Sequence, residues 1–220
     1  MEHIRNFFSG LDLSVIYVIA AAFITIIFHE VSHGYAAYLL GDRTARDRGR
    51  LSLNPLRHVD VLGLLMMIFF RFGWAKPVPV DMGSFKRPRL GMAVTALAGP
   101  ASNMILAFLA MLLRAAAVFA LIKFGWGQAF VDFFGTLATL STGIGIFNLM
   151  PIPPLDGSKI LFAFLPGRWY RFVLKYERYG MLILVAVLYF GLIDGFLNAA
   201  VGTVAGAFWR AVARPLAALL

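Results

Sequence analysis

Apolar residues fall in long runs at residues 11–40, 90–122, 129–150 and 179–213, separated by polar, Pro- and Gly-containing stretches. A helix needs about 20 apolar residues to cross a hydrocarbon core about 30 Å thick, so each of these runs can span a bilayer. The run at 61–70 is only ten residues long. It predicts a re-entrant segment whose ends other helices cover. Gly99 and Pro100 interrupt the second long run and predict a bend there. Residues 179–213 fit two short helices broken near Asp194 and Gly195, or one span followed by an interfacial segment. Residues 76–80 read Lys-Pro-Val-Pro-Val, and because proline cannot donate to a ladder they predict at most an edge strand. The pattern as a whole predicts an all-α polytopic membrane protein with about five or six transmembrane helices, a re-entrant segment and a small edge strand or hairpin.

Composition agrees with a membrane solvent: 60% of the 220 residues are hydrophobic and 14% charged, with a mean hydropathy of +0.80. The net charge of +9 raises the question of nucleic acid. The basic residues, however, gather in the connections: Arg43, Arg46, Arg48, Arg50 and Arg57 in 42–60, further ones in 71–89, and Lys159, Arg168, Arg171, Lys175 and Arg178 in 151–178. That distribution places these connections on the cytoplasmic side and against lipid headgroups, and it draws no basic stripe with interleaved aromatics, so no nucleic-acid partner is expected. Arg210 and Arg214 favour an internal C-terminus. The first apolar run follows Arg5 in the manner of a signal peptide but continues to Leu40 and contains ionisable residues, so it reads as a retained first span. Cysteine is absent, which excludes disulfides and thiolate metal sites.

Those ionisable residues are His29, Glu30 and His33, an HExxH pattern. On a helix the two imidazoles lie four residues apart on one face, where one metal ion can bridge them, and Glu30 stands beside the first ligand, able to take a proton from activated water. A charged group at membrane depth costs about 2.5–3.5 kcal/mol even on a lenient scale, and a divalent cation compensates such a cluster. A catalytic zinc takes three protein ligands, and no His stands at the metzincin position, where Leu39 is found. Asp42 and Asp47 are available, but their arginine-rich loop suits solvated salt bridges better. Asp156 is the stronger candidate, because Pro151, Pro153 and Pro154 forbid helix just before it and open the preceding span into irregular backbone. His58 and His3 lie outside this pattern, and His58 reads as a surface hydrogen-bonding group.

The pair HEVSHG at 29–34 and NLMPIPPLDG at 148–157 resembles the site-2 protease family of intramembrane metalloproteases. The likeness extends to GPASN at 99–103 and, more weakly, to LNP at 53–55 and GWAKPVPV at 73–80, as in the short bacterial members. The resemblance implies that His29, His33 and Asp156 bind zinc, that Glu30 is the general base, that Asn148 holds the substrate backbone, and that Asn103 serves helix packing or supports the site. It implies transmembrane protein or peptide substrates and a bacterial cell membrane; the basic loops place the open side of the site towards the cytoplasm, and because a helical substrate hides its scissile bond, extension by pairing with residues 76–80 is expected. Residues 1–220 then form a single intramembrane metalloprotease domain, since no connection is long enough for the PDZ or nucleotide-binding regulatory domain of other members. Two other classes compete. A metal-cation transporter would stack polar groups along several spans, whereas Arg114, Asp132 and Asp194 are scattered; an inactive membrane scaffold would not need the full set of catalytic residue types present here.

Overall fold

The computed structural model describes residues 13–58, 60, 76–166 and 179–217. Among these residues the regular structure is helical: α1 (Leu13–Leu39), α2 (Thr44–Asp47), α3 (Pro88–Phe124), α4 (Gln128–Asn148), α5 (Asp156–Ala163), α6 (Tyr179–Tyr189) and α7 (Asp194–Ala217). Four of them, α1, α3, α4 and α7, are long and apolar enough to cross a membrane. In hydrocarbon every backbone N–H and C=O needs an internal partner, and a continuous helix supplies one from within the segment. The chain is therefore a multi-pass, all-α membrane protein. The re-entrant segment expected at 61–70 lies outside the described residues.

The helix α3 is 37 residues long, about 55 Å at 1.5 Å per residue, so it overreaches a bilayer core of about 30 Å and either tilts or projects into the headgroups. It remains helical through Pro100, which is buried, so the expected bend does not break it. The 179–213 run resolves into two helices. The chain turns at Gly191, with φ of +63°, and Leu192 N donates to Val187 O across the end of α6. The described part of α6, Tyr179–Tyr189, is shorter than a span requires.

The expected edge strand at 76–80 is not formed: no strand occurs among the described residues. The groups that would have entered a ladder are taken elsewhere. Lys76 N donates to His58 O, Val78 N donates to the Glu30 carboxylate, and Arg50 donates to the Lys76 and Pro77 carbonyls. Two further sequence readings change. His58 is buried, its Nε2 bonded to Ser52 O, and Asp42 is buried on backbone N–H groups and not solvated.

The spans α3 and α4 pack most extensively, α1 lies against both, α7 packs on the same pair, and α5 packs on α3. Lipid is as apolar as leucine, so helices gain by close approach and not by hiding leucine from solvent. The buried core is accordingly rich in small residues, Ala21, Ala110, Ala115 and Ala138. Larger side chains such as Ile105, Leu109 and Leu113 face outward. Thr25 and Ser141 join α1 to α4 by a buried hydroxyl hydrogen bond of 2.9 Å. This packing brings the end of α1, the Thr95–Asn103 stretch of α3 and the irregular backbone between α4 and α5 to one place.

Candidate metal centre

His29 and His33 stand one helical turn apart on α1, and the T-shaped meeting of their rings places Nε2 of one 2.9 Å from Nε2 of the other. The backbone after α4 turns through Pro151–Pro154 and re-enters helix at Asp156, the first residue of α5. Asp156 Oδ2 lies 3.1 Å from His29 Nε2 and 3.0 Å from His33 Nε2. All three side chains are buried. Among the described residues these three alone form a cluster with metal-ligand spacing.

The donor set fits zinc. A tetrahedral ion with bonds of about 2.0–2.1 Å spaces its ligand atoms about 3.3–3.4 Å apart. The observed triangle, with sides of 2.9, 3.0 and 3.1 Å, is slightly tighter. The outer atom of each ligand is also held. His33 Nδ1 donates to Thr95 O at 2.7 Å, which leaves the Nε2 lone pair facing the cluster. Asn103 Nδ2 lies 3.1 Å from His29 Nδ1, with Oδ1 buried and unpartnered, so the ligating tautomer of His29 needs this amide turned end for end. For His29 Nε2 to serve as a ligand its proton belongs on Nδ1, and the Asn103 amide then presents oxygen to it. Lys159 Nζ approaches Asp156 Oδ1 at 3.2 Å, which leaves Oδ2 for the cluster.

Gly99 makes room for the pair of rings. A Cβ at this position would stand 2.7 Å from His29 Cε1 and would overlap the His33 ring as well. The centre opens on a cavity of about 530 Å³ that Glu30, Asn148 and Lys159 also line. Glu30 is half-buried there, its Oε2 accepting from Val78 N at 2.8 Å. Asn148, one helical turn from Ile144, donates Nδ2 to the Ile144 carbonyl at 2.9 Å. The structure thus brings together His29, His33, Asp156, Glu30, Asn103 and Asn148, and leaves out Asp42 and Asp47. Sequence reasoning missed Lys159, Gly99, the Thr95 carbonyl and Val78 N. Gly99 and Val78 lay inside motifs already noted at 99–103 and 73–80, and Lys159 carried a signal as a cation three residues past Asp156 at a helix start.

A buried, cysteine-free His-His-Asp cluster formed by a membrane-span candidate and the short helix α5, with a carboxylate beside it, has the make-up of a metallohydrolase-type centre. A family model described as Peptidase family M50 matches residues 17–191. The chain is 37% identical over 175 residues to YwhC of Bacillus subtilis, covering 78% of this chain and 79% of that protein. It is 33% identical over 178 residues to Rip2 of Mycolicibacterium smegmatis, covering 79% and 66% respectively, and 26% identical over 213 residues to Rip2 of Mycobacterium tuberculosis, covering 87% and 80%. The words zinc metalloprotease stand in the names of all three relatives. No solved structure matches the chain. The chain belongs to peptidase family M50, the site-2 protease family, and is a zinc-dependent metalloprotease.

Proposed function

We propose that this protein hydrolyses peptide bonds in or near the transmembrane segments of membrane-protein substrates, with His29, His33 and Asp156 as the zinc ligands and Glu30 as the general base. The convergence of two α1 imidazoles and a carboxylate 127 and 123 residues further on, at 3.1 and 3.0 Å, carries this reading. Depth supports the intramembrane assignment. His33 and His29 precede the end of α1 at Leu39 by six and ten residues, about 9 and 15 Å along the axis. That end enters the arginine-rich connection, so the centre faces the cytoplasmic leaflet, and the bacterial origin of the relatives supports a bacterial cell membrane.

Zinc in this centre supplies a Lewis acid that polarises a peptide carbonyl and acidifies water. The chain's own groups do the rest. Glu30 accepts a proton from the attacking water and returns it to the leaving amine nitrogen. Asn148, on the cavity wall, offers its amide to the substrate backbone, and Asn103 supports the site by holding His29 in the ligating tautomer. The cavity, largely apolar but carrying Glu30, Asn148, Asp156 and Lys159, admits the water that the bilayer excludes. A helical substrate conceals its carbonyls, so cleavage requires a locally extended stretch, and helix-weak sequences are favoured. The test is Glu30→Gln: cleavage of a membrane-embedded substrate in detergent falls by at least about 100-fold while bound zinc is retained, and membrane-protein fragments seen with the wild type disappear. Full cleavage by that variant would refute the assignment.

A further inference from the structure

We propose that Arg50 and Asp42 are positioning residues that hold residues 76–81 across the site, so that the backbone N–H of Val78 orients the Glu30 carboxylate; this rests on Glu30 being the base.

Of the arginines in the connection after α1, Arg43, Arg46, Arg48 and Arg57 are exposed, as topology charges should be. Arg50 is buried, at 9% exposure. Removing a guanidinium from water is costly unless its N–H groups find partners. Arg50 Nη2 finds the carbonyls of Lys76 at 2.6 Å and Pro77 at 3.3 Å. At the other end of the strap, Asp81 N donates to Asp42 Oδ2 at 2.7 Å, and Asp42 is fully buried. Between these anchors Pro77 and Pro79 have no N–H, and Val78 lies between them with a donor that meets Glu30 Oε2 at 2.8 Å. A residue preceding proline is confined to extended backbone, so the strap is stiff as well as anchored.

The strap also comes unusually close to α1. Gly34 lies four residues past Glu30, on the same helix face, and a Cβ there would stand 2.8 Å from Val78 Cγ1 and 2.6 Å from Leu51 Cδ2. Glycine at this position therefore lets the strap descend far enough for its N–H to reach the carboxylate. One N–H bond leaves the carboxylate with free lone pairs for the proton of water. What it removes is rotamer freedom in a half-buried, flexible acid whose usefulness depends on alignment.

The experiment compares wild type, Val78→Pro, Arg50→Gln, Arg50→Lys and Glu30→Gln in detergent, on a quenched fluorescent peptide built around a Gly- and Ala-rich transmembrane segment, with zinc content measured alongside. Val78→Pro deletes one N–H within a stretch already restricted by prolines, and kcat falls about tenfold with KM changed less than about twofold and zinc retained. Arg50→Gln falls similarly, and Arg50→Lys, which can still donate to the carbonyls, recovers most of the loss. Wild-type kcat in both Val78→Pro and Arg50→Gln, with Glu30→Gln inactive, would overturn the inference while leaving the base assignment standing. Loss of zinc or of fold in both would equally overturn it, since the strap would then serve the metal centre or the fold and not Glu30. Full activity of Glu30→Gln would instead remove the reading beneath it.

Discussion

Replacing Gly99 by alanine should lower both metal affinity and the stability of the metal-free protein. The added Cβ would lie 2.7 Å from His29 Cε1 and 2.5 Å from His33 Nε2. Heavy-atom contacts settle at about 3.5 Å or more, so the rings must withdraw by about 0.8 and 1.0 Å. Zinc sites tolerate deviations of about 0.2 Å in ligand distance, and disturbance of ligand orientation alone typically costs about 10–100-fold in affinity. A loss of about 100-fold is therefore expected. The metal-free protein meets the same overlap, so the cost of overpacking, about 1–3 kcal/mol, should outweigh the gain of about 0.8–1.0 kcal/mol in helix propensity. Competition against a chromophoric chelator in detergent measures the first quantity, and thermal unfolding of the metal-free protein the second. Zinc bound by Gly99→Ala as tightly as by wild type would refute the close approach of α3 to the two imidazoles.

Asn103 tests the proton assignment of His29. Asn103→Leu should lower zinc affinity about 10–100-fold, and Asn103→Asp, which keeps an acceptor oxygen, should retain more of it in the same competition assay. Asp42 tests the anchor of the strap. Burial raises its carboxyl, but bonds from Thr44 and from Asp81 N outweigh this and hold it below its ordinary value. Its folded-state pKa being depressed, its contribution is present above the unfolded pKa of about 3.9 and is lost as pH falls through the folded value. Asp42→Asn, which sets an amide donor against a backbone N–H, should therefore destabilise the protein by about 1–3 kcal/mol near pH 7. The gap should narrow below about pH 4 in denaturant titrations.

The site was legible in the sequence where its geometry is local. HExxH fixes two imidazoles on one helix face by periodicity alone, and the proline cluster before Asp156 announces a span that must open. The family resemblance joined the two halves, a pairing that spacing could not supply across more than 120 residues. What stayed hidden depends on tertiary burial. Arg50 and its exposed neighbours look alike in sequence, and only packing distinguishes a topology charge from an anchor. Asp42 and His58 read as solvated loop residues for the same reason, though both are buried. Residues 76–80 form no strand, because a strand needs a neighbouring strand, and here side chains took the ladder positions. In the 179–213 run the break falls at Gly191, whose left-handed backbone is one of many things a glycine can do in an apolar stretch.

The central claim is that one zinc ion is shared by α1 and the first residue of α5. Zinc content and affinity of Asp156→Ala, with His29 and His33 intact, test it most directly. The wild type should carry about one zinc per chain, and the variant should bind at least about 100-fold more weakly, because a two-histidine remnant lacks the third ligand of a catalytic site. Unchanged stoichiometry and affinity in Asp156→Ala would contradict it.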